Sequence, residues 1–180
     1  MILTCVVRYA LRHSRRPAEP VTATPRHVPA RCNPMDDRET DTIFGARIPF
    51  VRYCGIEALE AAEGRTRLRL RLRPEHGNNL GIAHGGILCT LLDVALGTAA
   101  RLTVGAPVVT LDMQTRFLNP GRGTLTAEGR VVRAGSSVLF CEAEIRDEGG
   151  ALVASATGIL KTVAPRADGA SAEQVTETER

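Results

Sequence analysis

From Ile87 to Arg101 the chain reads ILCTLLDVALGTAAR, fifteen residues without proline in which almost every position is apolar or small. That length predicts about four turns of helix. With no clear polar face, such a helix must be buried on most sides. Asp93 is the acid in the middle of this run. A carboxylate in apolar surroundings costs several kcal/mol unless it is paired, hydrogen-bonded or protonated, so Asp93 is either a structural oddity or a chemical group.

A second pattern has period two. Along Arg65 to Arg73, Leu68, Leu70 and Leu72 alternate with five arginines, which predicts a strand with one buried face. Ile56 to Ala62 precedes it across Glu63 and Gly64, a two-residue hairpin signal. The arginine face has the form of a solvated or subunit-facing surface. Upstream, residues 42–51 predict a turn of helix before Pro49, packing Ile43, Phe44, Ile48 and Phe50 on a neighbour. Downstream, turn signals at Asn119 to Gly123, Ala134 to Ser136 and Glu148 to Gly150 divide the chain into strands near 107–118, 124–133, 137–147 and 151–163, expected to form an antiparallel meander. Two strands, one long apolar helix and four strands make an α+β chain, satisfied best when a curved antiparallel sheet wraps the helix.

Charge and composition narrow the partners. The net charge is +3, yet residues 1–34 hold six arginines against one glutamate, and the remainder is slightly acidic. This argues against a nucleic-acid partner. No apolar run approaches the length of a bilayer span, so no membrane partner is expected. Cys5, Cys32, Cys54, Cys89 and Cys141 stand singly, as cytoplasmic thiols do, and the four histidines lack metal-ligand spacing, so no metal site is expected. Residues 1–38 form an N-terminal extension, disordered or non-native. Its arginine-rich character is compatible with a transit segment, and Met35 is an alternative start. The folded domain is expected at 39–163, with a disordered tail at 164–180.

His84, Gly85 and Gly86 lie where the helix begins. Free N–H groups and a partial positive charge at a helix start suit a developing oxyanion, although the same residues also make an ordinary tight turn. Gly85 and Asp93 are eight residues apart, about 12 Å along a helix, too far to act on one carbonyl within one chain. A two-fold homodimer would bring the glycine of one subunit to the aspartate of the other.

Asn78, Gly81, His84, Gly85, Gly86, Leu92 and Asp93, followed by a strand with Thr110, resemble the hotdog-fold thioesterases of the phenylacetic-acid-degradation type, over about residues 45–163. The resemblance implies a six-stranded antiparallel sheet around one helix, dimers that pair into dimers of dimers, and hydrolysis of acyl-CoA thioesters. It implies that Asp93 is nucleophile or general base, that Gly85 N–H polarises the carbonyl with His84 beside it, and that Asn78 and Thr110 help to place water. Asn79 competes for the Asn78 role. Coenzyme A is then part of the substrate, with no separate cofactor. Arg133, Gly135 and Ser136 fall where the family contacts CoA phosphates, with Arg116 and Arg122 as alternatives. A hotdog dehydratase or hydratase and a non-catalytic acyl-CoA-binding protein are the competing functions.

Overall fold

A computed structural model describes residues 42–62 and 64–164. The predicted N-terminal extension, the start at Met35 and the tail beyond residue 164 lie outside the described residues.

Strands β1 (Thr42–Ile43) and β2 (Ala46–Arg47) form a small hairpin turned by Phe44 and Gly45, both at positive φ. Helix α1 (Pro49–Tyr53) follows. The predicted helical turn before Pro49 is therefore corrected: Pro49 opens the helix, where its fixed φ fits and its missing N–H is no loss. Ile43 and Val51 are buried, whereas Ile48 and Phe50 are exposed rather than packed as expected. The Arg101 guanidinium donates to the carbonyls of Ile43 and Phe44 at 3.1 and 2.8 Å, tying the hairpin to the central helix.

Strands β3 (Ile56–Ala62) and β4 (Arg65–Arg71) pair as predicted. Leu68 and Leu70 are fully buried, and the outward arginines meet acids on neighbouring strands. Arg69 pairs with Glu57, and Arg67 Nε lies 3.4 Å from Glu128. Exposed pairs of this kind contribute about 1 kcal/mol or less each.

Helix α2 runs from Gly85 to Val104, twenty residues, longer than the predicted run at both ends. The His84 side chain caps the start and Gly105, at φ 64°, ends it in the left-handed conformation. By length and composition alone α2 would cross a membrane, which corrects the expectation that no apolar run reaches that length. Here it is the core helix, with Leu88, Leu91, Leu92, Ala95, Leu96 and Ala99 buried.

Strands β5 (Val108–Phe117), β6 (Thr124–Ala134), β7 (Val138–Arg146) and β8 (Leu152–Thr162) complete a six-stranded antiparallel sheet in the order β3-β4-β6-β7-β8-β5. The predicted four-strand meander is thus three strands, β6-β7-β8. Helix α2 delivers the chain to the far edge of the sheet, so β5 pairs with β8, and residues 118–123 are a crossover rather than a hairpin. The N–H groups of Leu118 and Asn119 bond the Val153 carbonyl, and Ala83 N–H bonds the Gly121 carbonyl. The crossover thereby buttresses the entry to α2. Sheet and helix lie close together at Gly129, where an added Cβ would lie 2.3 Å from the Ala95 carbonyl oxygen. The Thr66 hydroxyl donates to that same oxygen at 3.1 Å.

Candidate active site

The loop into α2 is held by its own backbone. A 3₁₀ turn at Pro74–His76 places His76 in a buried position. Its Nδ1 accepts the Arg73 N–H at 3.2 Å, its Nε2 lies 3.2 Å from the Arg73 guanidinium, and its carbonyl accepts the His84 N–H at 2.8 Å. Burial, and then the Arg73 charge, hold the His76 pKa below its ordinary value against the smaller opposing effect of Glu75. Asn78 Oδ1 accepts from the N–H groups of Leu80 and Ile82 at 2.9 and 3.3 Å, an Asx turn. Its Nδ2 has no partner among the described residues. Asn79 is exposed.

At the end of this loop the His84 Nδ1 accepts the Gly86 N–H at 2.9 Å. A neutral ring so engaged carries its proton on Nε2, on a side chain that is exposed. Gly85 occupies the first helical position, and its N–H has no acceptor among the described residues. This leaves a free donor at the positive end of a twenty-residue helix.

Asp93 is half-buried rather than enclosed. The Thr110 hydroxyl donates to its Oδ1 at 2.7 Å, leaving Oδ2 free of any side-chain partner among the described residues. Strand β5 runs beside both chemical ends of α2: Thr110 meets Asp93, and seven residues on, the tip of the Phe117 ring lies 3.3 Å from where a Cβ on Gly85 would sit. One chain therefore holds the donor and the carboxylate on the side of α2 that faces β5, about 12 Å apart along its axis.

The turn bearing Arg133, Gly135 and Ser136 is exposed and joins β6 to β7. Val138 pairs with Lys161 on β8, and Val108 pairs with Thr162. The turn thus lies at the Asp93–Thr110 end of the sheet, away from Phe117 and Gly85. Arg122 Nη1 donates to the Gly81 carbonyl at 2.6 Å, on the loop that leads to His84. Arg116 points the other way, into a cavity of about 660 Å³ on the outer face of the sheet, lined also by Arg65, Arg67, Glu128 and Glu142. Apart from Arg116, the alternative CoA contact, none of the predicted site residues lines that cavity. Phe117 and His76 escaped sequence reasoning, because only the pairing of β5 beyond β8 and the closure of the loop bring them to the site. Among the described residues, Cys54, Cys89 and Cys141 are free thiols, and burial pushes the Cys141 pKa up to about 11.

The matches to known proteins fall on this same region. A family model described as the thioesterase superfamily matches residues 80–154, from the loop before α2 into β8. A protein of Saccharolobus solfataricus, provisionally named an esterase, is 33% identical over 136 residues, covering 71% of this chain and 96% of that protein. The chain belongs to the thioesterase superfamily. Within it, human acyl-coenzyme A thioesterase 13 is 30% identical over 104 residues, 55% of this chain and 74% of the human protein. The structure of the Escherichia coli PaaI protein from the phenylacetic acid degradation operon superposes with a TM-score of 0.62 at 26% identity, covering 64% of this chain and 84% of PaaI. The hotdog fold expected from the sequence is the fold of this thioesterase-superfamily chain.

Proposed function

We propose that the protein hydrolyses acyl-CoA thioesters at two equivalent sites shared between the subunits of a homodimer. The observation that carries this reading is the pairing of a free Gly85 N–H with an Asp93 carboxylate held at one oxygen by Thr110, on one side of α2 yet too far apart to meet at one carbonyl. The acyl-coenzyme A thioesterase among the relatives supports the substrate class.

In this mechanism the thioester carbonyl oxygen accepts the Gly85 N–H at the helix start of one subunit. The Asp93 carboxylate of the other subunit, oriented by Thr110, takes a proton from water as that water attacks the carbonyl carbon. Negative charge then develops on the oxygen facing the helix start, where a fixed donor stabilises it without reorganisation. Collapse of the tetrahedral intermediate breaks the carbon–sulfur bond. The CoA thiolate leaves and is protonated, and the His84 Nε2–H is positioned to steady it or the carbonyl. Direct attack by Asp93 through an acyl-carboxylate anhydride uses the same placement. In either case Asn78 Nδ2 is the free donor on the loop for placing water.

Strand β5 supports the dimer. It is the sheet edge, so the outward side of its backbone is unpaired, and Val109, Leu111 and Phe117 are 44%, 56% and 56% exposed. An edge strand of ten residues with exposed apolar side chains is a template for pairing with another copy. Antiparallel pairing of two β5 strands would set the Thr110 end of one against the Phe117 end of the other, and so bring Asp93 of one chain to Gly85 of its partner. The turn at Arg133, Gly135 and Ser136 would enter each site with Asp93, where a cation and hydroxyl donors suit CoA phosphates. The outer sheet face, with its alternating arginines and glutamates, is available for pairing dimers into a tetramer.

Thiol release from purified protein, measured against butyryl-, octanoyl-, palmitoyl- and phenylacetyl-CoA, tests the reading. Turnover of at least one ester, abolished by Asp93→Asn, is expected. Tight acyl-CoA binding without thiol release would contradict it, and so would hydration of an enoyl ester that survives Asp93→Asn.

A further inference from the structure

We propose that Phe117 is a specificity-determining residue: its ring walls the acyl side of the carbonyl site and limits substitution at the carbon next to the thioester. The inference rests on the hydrolase reading above and names a property of its substrates.

The tip of the Phe117 ring points at Gly85, with Cζ, Cε1 and Cε2 at 3.3, 3.6 and 3.8 Å from the position of a Cβ there. A carbonyl oxygen bonded to the Gly85 N–H sits about 2.9 Å from that nitrogen. The acyl α-carbon is two bonds from the oxygen, so its substituents fall within about 5 Å of Gly85, where the ring stands. Phe117 is the last residue of β5 and is 56% exposed, so the described residues leave the ring open on that side. Its position follows from bordering the open space beside the helix start, not from filling the core.

The side of the carbonyl follows from what else lies on β5. Met113, Thr115 and Phe117 share the face toward α2, since they pair with Gly158, Ala156 and Ala154 of β8. Met113 packs against the core, an apolar lining suited to an acyl chain. The two-residue step back from Phe117 reaches Thr115, whose hydroxyl is buried without a partner among the described residues.

The test compares isobutyryl-CoA with butyryl-CoA, and each acyl group on CoA with the same group on N-acetylcysteamine, in wild type, Phe117→Leu and Phe117→Ala. One methyl group against a pocket wall is worth about 10- to 200-fold in kcat/KM. The ratio for isobutyryl over butyryl is therefore expected to rise about tenfold or more in Phe117→Ala, with Phe117→Leu between, on either thiol. A purely structural role would lower both esters together and leave the ratio unchanged, which would overturn the proposal while leaving the hydrolase reading standing. A change that follows the thiol rather than the acyl group would place Phe117 on the leaving-group side and likewise overturn it. Absence of thiol release from every ester in wild type would remove both readings.

Discussion

Thr110 donates its hydroxyl to Asp93 Oδ1 at 2.7 Å, from an edge strand to the middle of the core helix seventeen residues earlier. A hydrogen bond to a charged group is worth about 1.5 to 3 kcal/mol. Thr110→Val should lower kcat about tenfold to a hundredfold, with little change in KM, and Thr110→Ser should recover most of it. Activity kept in Thr110→Val but lost in Thr110→Ser would show that the methyl group, not the hydroxyl, matters.

Gly129 of β6 packs closely under the central helix. With an added Cβ 2.3 Å from the Ala95 carbonyl oxygen and 3.1 Å from the Thr66 hydroxyl, Gly129→Ala must push β6 off α2 or break the Thr66 bond. A loss of about 3 kcal/mol is expected from overpacking combined with a strained polar contact. Urea denaturation measures it, and a loss under about 1 kcal/mol would mean the sheet yields there more readily than this packing implies.

His76 should make stability fall in mild acid. Burial first, and then the Arg73 charge beside the ring, disfavour an imidazolium in the folded loop, so the pKa lies below the ordinary 6.5. The folded state then binds fewer protons than the unfolded chain. The stability this contributes is present above pH 6.5 and is lost as pH falls through the lowered folded value. Denaturation midpoints of wild type and His76→Gln, compared between pH 7.5 and 5, should show a steeper acid loss in wild type. Parallel curves would assign the loss to other groups.

Much of this was legible in the residues. The alternation of Leu68 and Leu70 with arginines fixed β4 and its buried face, because a strand has only two sides. The apolar run containing Asp93 announced α2, and eight residues of helical rise sufficed to place Gly85 and Asp93 too far apart for one chain. Local signals could not reveal that β5 lies beyond β8. Asn119 to Gly123 have the composition of a hairpin turn, and only the need to carry the chain back across the sheet makes them a crossover. Pro49 was misplaced for a similar reason, since a proline both ends helices and begins them. Phe117 meets Gly85 only because of that crossover, so no spacing in the sequence connects the two.

The buried Thr115 hydroxyl has no partner among the described residues. An unsatisfied buried donor costs about 1 to 3 kcal/mol, and an apolar group of the same shape removes the cost. Thr115→Val should therefore raise the stability of the ligand-free protein by about 1 kcal/mol, measured by urea denaturation. Lower stability at a protein concentration that favours the dimer would mean a second subunit satisfies the hydroxyl.

The shared site is tested most directly by mixing two inactive subunits. Gly85→Pro removes the N–H, and proline is tolerated at the first helical position after a residue as extended as His84, at φ −65° and ψ 141°. Asp93→Asn removes the carboxylate. A mixed dimer keeps one intact pair, Gly85 from the Asp93→Asn chain and Asp93 from the Gly85→Pro chain. An equal mixture with random exchange should thus regain about a quarter of wild-type activity. Activity no higher than that of the separate variants, in a sample shown by native mass spectrometry to contain the mixed dimer, would contradict a site built from two chains.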